Sequence, residues 1–323
     1  MTTTRTLLSA LVWLGIGYSG SAHSQSYPDK PVKLILPYTA GSPNDVLARL
    51  IAPPLSARLR QSVIIENRPG GGTAIGVKAV LTAEPDGYTL LYSNTPAHLI
   101  APLASRSASY DPIKDFVPIA MMGTSSLILV ISPAVPANTI QEFIAYAKAN
   151  PGKLSFGFGQ GTLPHLVGEM FKVATATDIA SIPYRGGAQA VPDILGGRIH
   201  MNFGTPATLA PLIREGKLRA LATTSPTRYA DLPDVPTMIE SGLPSVTAVT
   251  YYGILGPAGT PAGVVTKINA EVNESLKTAE LSAGITRVGF GLASGSPQDF
   301  ATLMASEMQK WAPVVASTGF RID

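Results

Sequence analysis

Short apolar runs alternate with helical periodicities along most of the chain, and each run ends in a turn rich in glycine, proline or small polar residues. Val32–Leu36 is typical of a buried strand, and apolar residues from Val46 to Leu59 recur at the spacing of one helix face. Pro53 and Pro54 fall inside that helix and predict a break or kink there. Strands alternating with helices predict parallel pairing in doubly wound α/β sheets.

The first strand leads into a turn that has the features of a helix start. Gly41 permits a tight turn, and Ser42 is a favourable N-cap followed by Pro43 at the first helical position. Asp45, three residues after the cap, brings the pattern close to a capping box. Because the free amides of a helix start attract anions, this turn predicts an anion site. The alternative is an ordinary, well-capped connection.

Two later turns repeat the order of strand, glycine, threonine cap and proline. They lie at residues 157–165 and 203–206, and neither these turns nor the first one contain Lys or Arg. If the three turns converge on one crevice, helix amides and hydroxyls would recognise an anion there. A crevice of this kind, without base, nucleophile or metal, predicts a binding site rather than a catalytic one.

Composition narrows the class of protein. With 323 residues, 45% hydrophobic and 14% charged, the chain is expected to fold into about two globular domains. The formal net charge of +3 is too small to argue for a nucleic-acid partner. The absence of cysteine excludes disulfides, thiolate metal sites and cysteine nucleophiles.

The beginning of the chain predicts export. Arg5 precedes an apolar core at residues 7–17, and the small residues at 21–24 offer cleavage after Ala22 or Ser24. We therefore assign residues 1–24 to a cleaved signal peptide and expect a periplasmic protein. The alternative is an amphipathic or buried N-terminal helix.

The chain lacks a recognisable catalytic or cofactor motif. The glycines at 157, 159 and 161 do not have dinucleotide-binding spacing, and neither a phosphate-binding loop nor a nucleophile elbow is present. The four histidines are scattered, so no metal and no cofactor are predicted. His165 lies on the first turn of a helix, where a neutral imidazole could hydrogen-bond a ligand. A hydrolase of carboxylic esters or amides with His165 as its base stays open as an alternative, although no nucleophile and acid can be named for it.

Many short stretches, in consistent order, resemble the Bug receptors, which are the periplasmic solute-binding proteins of tripartite tricarboxylate transporters. They cover nearly the whole chain after the signal peptide and lie at residues 27–32, 37–45, 66–70, 85–90, 110–116, 165–169, 183–186, 236–242 and 257–261. Two departures stand out. Ser42 replaces a glycine that is frequent in the family, and the Pro53-Pro54 pair interrupts a helix that is usually unbroken.

The resemblance implies a two-lobed Venus-flytrap fold of the type II periplasmic-binding-protein class. The first lobe would comprise residues 25–125 plus 250–323, and the second residues 126–249, joined by two crossing strands. A small organic carboxylate would bind in the cleft of a monomer and be delivered to the membrane subunits of a transporter, without enzymatic activity. A receptor that reports to a signalling partner is an alternative. Whether the ligand is a dicarboxylate, a tricarboxylate, an aromatic acid or an amino acid stays open.

The resemblance also implies the site. The turns at 39–45 and 157–165 would hold one carboxylate through amides and water, and Asn94, Thr95, Asn202 and Thr205 would contact the distal part of the ligand. The full set of predicted ligand-binding residues is Tyr38, Thr39, Ala40, Gly41, Ser42, Asn44, Asp45, Asn94, Thr95, Phe158, Gly159, Gln160, Gly161, Thr162, His165, Asn202 and Thr205.

Overall fold

The computed structural model describes residues 27–105, 109–159, 162–184 and 187–322. The signal peptide expected at residues 1–24 lies outside this range. Within the described part of the chain, the helices are all too short or too polar to span a bilayer.

Ten strands of the described chain form two five-stranded sheets. They are β1 (Val32–Leu36), β2 (Val63–Asn67), β3 (Thr89–Asn94), β4 (Phe116–Ser126), β5 (Ile128–Ile131), β6 (Leu154–Gly159), β7 (Ile179–Tyr184), β8 (Met201–Gly204), β9 (Arg219–Thr223) and β10 (Val249–Pro257). The first sheet has the order β2-β1-β3-β10-β4 and the second β7-β6-β8-β5-β9. β10 and β5 run antiparallel to both of their neighbours. Each sheet is therefore mixed rather than wholly parallel, because one inner strand arrives from the other sheet.

Helices cover the faces of both sheets. They are α1 (Pro43–Leu59), α2 (Ala74–Leu81), α3 (Ala101–Ala104), α4 (Ile140–Ala149), α5 (Leu163–Thr175), α6 (Val191–Leu195), α7 (Pro206–Arg214), α8 (Ala262–Leu276), α9 (Ala279–Arg287) and α10 (Pro297–Thr318). A π-helical turn, Pro96–Ile100, precedes α3. We call the elements packed on the first sheet the first lobe and those packed on the second sheet the second lobe.

A break or kink was predicted in α1 at Pro53 and Pro54. The break is not present, since the helix is continuous from Pro43 to Leu59 with both prolines inside. The prolines remove two helical hydrogen bonds. Leu47, Ile51 and Leu55 on one face are fully buried, and this packing holds the helix together across the missing bonds.

Two chain segments cross between the lobes and meet at one buried threonine. Residue Leu127 links β4 to β5, and Ala248 precedes β10. The Thr224 hydroxyl donates to the Ala248 carbonyl (2.6 Å) and accepts from the Leu127 amide (2.8 Å). The Thr224 amide also donates to the Leu127 carbonyl (2.8 Å). Both crossings are thus fixed to each other at the point where the lobes join.

The last helix joins the lobes a third time. Phe300 and Met304 pack in the core of the first lobe, whereas Trp311, Val315 and Phe320 pack in that of the second. The lobe boundaries stay a prediction, and this packing argues for assigning the end of α10 to the second lobe rather than the first.

Candidate functional site

A cavity of about 370 Å³ lies between the lobes, where several strand-to-helix segments and the crossing strands meet. It is lined by Tyr38, Asn44, Gly72, Thr73, Asn94, Pro96, Ala97, Ala101, Ser125, Leu127, Thr162, Leu163, Pro164, Thr205, Thr250, Tyr252 and Ile322. These lining residues, all from the described part of the chain, include no charged side chain. Its volume is within the range of small-molecule sites.

A second cavity of about 270 Å³ adjoins the first. The two share Ser125, Thr205 and Tyr252 as lining residues, and the second extends between the starts of α1 and α7 to residues 288–290. The cleft between the lobes therefore continues beyond the main cavity on the side of Thr205.

An amide network forms one wall of the main cavity. The Tyr38 hydroxyl donates to Asn94 Oδ1 (2.8 Å), and Asn94 Nδ2 donates to Asn44 Oδ1 (2.9 Å). Asn94 Oδ1 also accepts from the Ala97 amide (3.0 Å), so both polar atoms of the buried Asn94 are satisfied. Burial raises the pKa of Tyr38, which keeps its phenol protonated. The network orients the Asn44 amide at the start of α1, facing the cavity.

The start of α1 is satisfied by its own residues. Ser42 Oγ accepts from the Asp45 amide (3.3 Å), as predicted, but the Asp45 carboxylate accepts from the Gly41 amide (2.9 Å) rather than from the cap residue. Arg49 Nε and Asn67 Nδ2 also donate to this carboxylate, each at 2.9 Å. The hydrogen bond from Arg49 contributes most to lowering the pKa of Asp45 to about 2. Asp45 is buried and orders the turn instead of lining the cavity.

The starts of α5 and α7 are different, because neither is capped by a side chain. The Thr162 hydroxyl donates to the Gly159 carbonyl (2.7 Å), and the Thr205 hydroxyl pairs with that of Thr208 (3.1 Å). Thr162 and Thr205 both line the main cavity. Two helix starts without side-chain caps therefore face the same space, an arrangement that suits an anion. Pro164 and Pro206 have no amide hydrogen, and the Thr208 amide donates to the Thr205 carbonyl (3.1 Å), so only part of each first turn can donate to a ligand.

Tyr252 and two hydroxyl side chains come from the crossing strands. Thr250 of β10 pairs in register with Ser125 of β4, and Tyr252 follows two residues later on the same face. Burial raises the pKa of Tyr252, while hydrogen bonds with Thr250 and Ser125 lower it to a smaller extent. The phenol therefore stays neutral and is available as a hydrogen-bond donor.

His165 does not line either cavity. Its ring stacks on Phe158, with centroids 3.9 Å apart, and contacts Phe320 at 4.9 Å. Burial lowers the pKa of His165, and its buried Nδ1 has no hydrogen-bond partner among the described residues. The imidazole is thus a neutral ring packed against Phe158 and Phe320. It lacks the hydrogen-bonded acid that orients the histidine base of a catalytic triad.

The structure brings part of the predicted site together. Tyr38, Asn44, Asn94, Thr162 and Thr205 line the main cavity, and Gly41 lines the second. Gln160 and Gly161 lie outside the described residues.

The other predicted residues do not line these cavities. Thr39 and Ala40 are exposed, Ser42 caps α1, and Phe158 and Gly159 lie at the end of β6. Thr95 is buried and accepts from the Tyr251 amide (3.1 Å), while Asn202 donates to the Gly157 carbonyl (2.7 Å). Both side chains support neighbouring strands and line neither cavity, and their contact with a ligand stays a prediction.

Several residues that line the cavity were not among those predicted. Ser125 and Thr250 belong to the crossing strands β4 and β10, and neither was predicted to contact the ligand. Ala97 and Ala101 lie on one face of the π-helical turn and α3, and Ile322 follows the last helix. Small apolar residues such as these carry no local signal for a binding site.

A family model described as the tripartite tricarboxylate transporter family receptor matches residues 47–320. The chain belongs to this receptor family. Protein BugT of Bordetella pertussis is 34% identical to it over 98% of the chain and 99% of BugT. These matches confirm the predicted kinship with the Bug-type receptors.

Solved structures support the same conclusion. The protein Rpa4515 of R. palustris, determined with adipate, is 31% identical with a TM-score of 0.77, covering 91% of this chain and 99% of its own. MatC of Rhodopseudomonas palustris, determined with bound malate, is 28% identical with a TM-score of 0.74, covering 90% of this chain and 100% of its own. The predicted two-lobed, type II periplasmic-binding-protein fold is confirmed.

Proposed function

We propose that this family member is a periplasmic receptor that binds a small organic carboxylate between its lobes and delivers it to a tripartite tricarboxylate-type membrane transporter. The observation that carries the proposal is the uncharged cavity faced by two uncapped helix starts, those of α5 and α7. Two family relatives were determined with the carboxylates adipate and malate.

Recognition would depend on dipoles instead of side-chain cations. The starts of α5 and α7 would present the partial positive charge of the helix dipole, and the Asn44 amide and nearby hydroxyls would supply further donors. Because no buried cation has to be neutralised, the site stays uncharged and stable when empty. Affinity is therefore expected to fall only mildly with added salt.

A ligand screen tests the binding step. The mature chain is stripped of bound ligand, and its thermal unfolding is followed with malate, adipate, citrate, benzoate, hexanoate and glutamate. A ligand at about a hundred times its dissociation constant should add roughly 2.7 kcal/mol to the free energy of unfolding. Titration calorimetry then gives the dissociation constant of each hit. The proposal would be refuted if none of the carboxylates raised the melting temperature of the folded, ligand-free protein.

Export and delivery need their own measurements. The mature protein recovered from the periplasm should begin near Gln25, which N-terminal sequencing shows directly.

Uptake of the identified carboxylate should stop in cells that lack this chain and return when it is supplied. Normal uptake without the chain, together with a lost transcriptional response to the ligand, would favour a sensor.

A further inference from the structure

We propose that Thr73, in the wall of the main cavity, donates a hydrogen bond from its hydroxyl to an oxygen of the bound carboxylate, and that the fold holds this residue in a strained backbone conformation for that contact. The inference rests on the proposed carboxylate-binding function and adds a ligand-contacting residue to it. It follows from the backbone conformation of Thr73, from the anchoring of the segment around it and from the hydrogen bonds of its hydroxyl group.

Thr73 has an unusual backbone conformation. Its φ of 85° lies in the left-handed region, after three glycines at 70–72 whose φ angles are also positive. For a β-branched residue this conformation is an outlier, because Cβ crowds the backbone. The other described non-glycine residues with positive φ are Arg60 and Ala176, which cap the C-terminal ends of α1 and α5, where the conformation is common. Thr73 instead precedes α2 and lines the cavity.

The chain is anchored on both sides of Thr73, which leaves the strain little room to relax. Before it, the Arg68 amide donates to the Leu36 carbonyl (2.8 Å) and ties the end of β2 to β1. After it, Gly76 of α2 packs so closely that an added Cβ would lie 2.8 Å from Pro37 Cβ and 2.9 Å from the Arg68 carbonyl oxygen. Strain that the surrounding structure maintains in this way is concentrated at ligand-binding and catalytic sites.

The hydroxyl of Thr73 is only weakly engaged by the protein. It donates to the Ala97 carbonyl at 3.4 Å, which is long for a hydrogen bond between oxygens. The same carbonyl accepts from the Tyr110 hydroxyl at 2.6 Å, so it keeps a partner when the Thr73 O–H bond rotates away. A ligand carboxylate that accepts from Thr73 would therefore replace a weak hydrogen bond with a stronger, charge-assisted one.

The loop that carries Thr73 also meets the second lobe beside the cavity. An added Cβ on Gly72 would lie 3.7 Å from Ile322 Cδ1, and Ile322 packs against the core of the second lobe. Thr73 and Ile322 both line the main cavity. A ligand held between the lobes therefore lies next to this loop.

Calorimetry tests the contact with malate, adipate, citrate, benzoate, hexanoate and glutamate as probes. Thr73→Ala, which removes the hydroxyl but keeps Cβ, should weaken the tightest of these acids about tenfold, the scale of one hydrogen bond to a charged group. Thr73→Ser, which keeps the hydroxyl, should bind it within about threefold of the wild type. Equal affinities of the wild type and Thr73→Ala would overturn the inference. A wild type that binds none of the six acids would overturn the proposed function itself.

Thr73→Gly tests the strain, because glycine adopts the left-handed conformation without cost. The melting temperature of the ligand-free variant should rise by about 2 °C, while the affinity falls as it does in Thr73→Ala. Ala176→Gly is the matched control, since it relieves the same conformation (φ 51°) at the far end of α5 and should raise the melting temperature without changing the affinity. A melting temperature of Thr73→Gly at or below that of the wild type would overturn the claim of strain, and an unchanged affinity would overturn the contact.

Discussion

Substitutions of Thr205 can test the effect of negative charge on ligand affinity separately from the effect of side-chain shape. It precedes α7 as an N-cap whose side chain makes no capping bond, and it lines both cavities. In Thr205→Asp, the aspartate side chain should cap α7 and occupy the anion site. The affinity for a carboxylate ligand should therefore fall at least about tenfold. The free energy of unfolding should stay equal or rise by up to about 1 kcal/mol, because aspartate is a favourable cap. Calorimetry and urea unfolding measure the two effects.

Thr205→Asn is the matched control for this prediction. Asparagine caps helices as well as aspartate does but carries no charge, so this variant should keep most of the affinity. Equal loss of binding in the two variants would show that the threonine hydroxyl or its shape matters, and not the potential at the start of α7.

His98 makes stability depend on pH. It is fully buried beside Phe116, its Nε2 lies 2.7 Å from the Pro112 carbonyl, and burial lowers its pKa from 6.5 to about 4. Because the folded pKa lies below the unfolded one, the unfolded state binds more protons between these values. The stabilising contribution is present above pH 6.5 and is lost as the pH falls towards 4.

The measurement compares the wild type with His98→Gln by urea unfolding from about pH 7 to about pH 4. The wild type should lose roughly 3 kcal/mol more than the variant over this range. Parallel pH profiles would show that protonation of His98 does not oppose folding and would contradict the prediction.

At the scale of elements, α1 offers a test of how much its prolines cost. Pro53 is exposed, and in Pro53→Ala the restored amide can donate to the Arg49 carbonyl. We expect a gain of about 1 kcal/mol in the free energy of unfolding, since the recovered helical bond exceeds the lost rigidity of the unfolded chain. Urea midpoints measure it.

Pro43 provides the control, because a proline at the first helical position replaces an amide that has no helical partner. Pro43→Ala should therefore give no comparable gain. A lower urea midpoint for Pro53→Ala would show that α1 bends at that point enough to keep the new amide from its acceptor.

The strand-to-helix turns were the most predictable elements, because their chemistry is local. The cap at Ser42 and the strand β1 follow from residue types alone. Asn44, Thr162 and Thr205 were predicted from the three turns and from the resemblance, and all three line the main cavity. Thr95 and Asn202, in contrast, line neither cavity. Near the ends of strands, a shift of one residue reverses the face on which a side chain lies.

The parts that escaped prediction depend on long-range packing. Ser125 and Thr250 line the cavity because β10 pairs with β4 along its length, and α1 is continuous because its apolar face is buried. The position of Ile322 depends on the packing of Phe320 in the core of the second lobe. The strand that pairs with β4 is far from it in sequence, and Phe320 itself packs against His165, which is also distant.

At the scale of the whole molecule, the two lobes touch across the cleft at Gly289 and Ala207. Gly289 follows α9 of the first lobe in a left-handed conformation (φ 84°), and a Cβ there would lie 2.5 Å from that of Ala207 in α7. The neighbouring Gly291 is anchored to Thr124 of β4 by two backbone hydrogen bonds of 2.8 Å each. This contact therefore limits how closely the start of α7 approaches the first lobe.

Gly289→Ala should separate the lobes at this contact, because the anchored segment cannot retreat and the helix start must move. Since α7 contributes one of the two anion-binding helix starts, carboxylate affinity should fall by about tenfold or more, and the ligand-bound form should have a larger radius of gyration by solution scattering.

Gly242→Ala introduces the same kind of left-handed strain (φ 77°) with no atom within 4 Å of the new methyl group. That control should lose a similar amount of stability, about 1 kcal/mol, without losing affinity. Equal affinities in the two variants would show that the Gly289 contact does not govern closure.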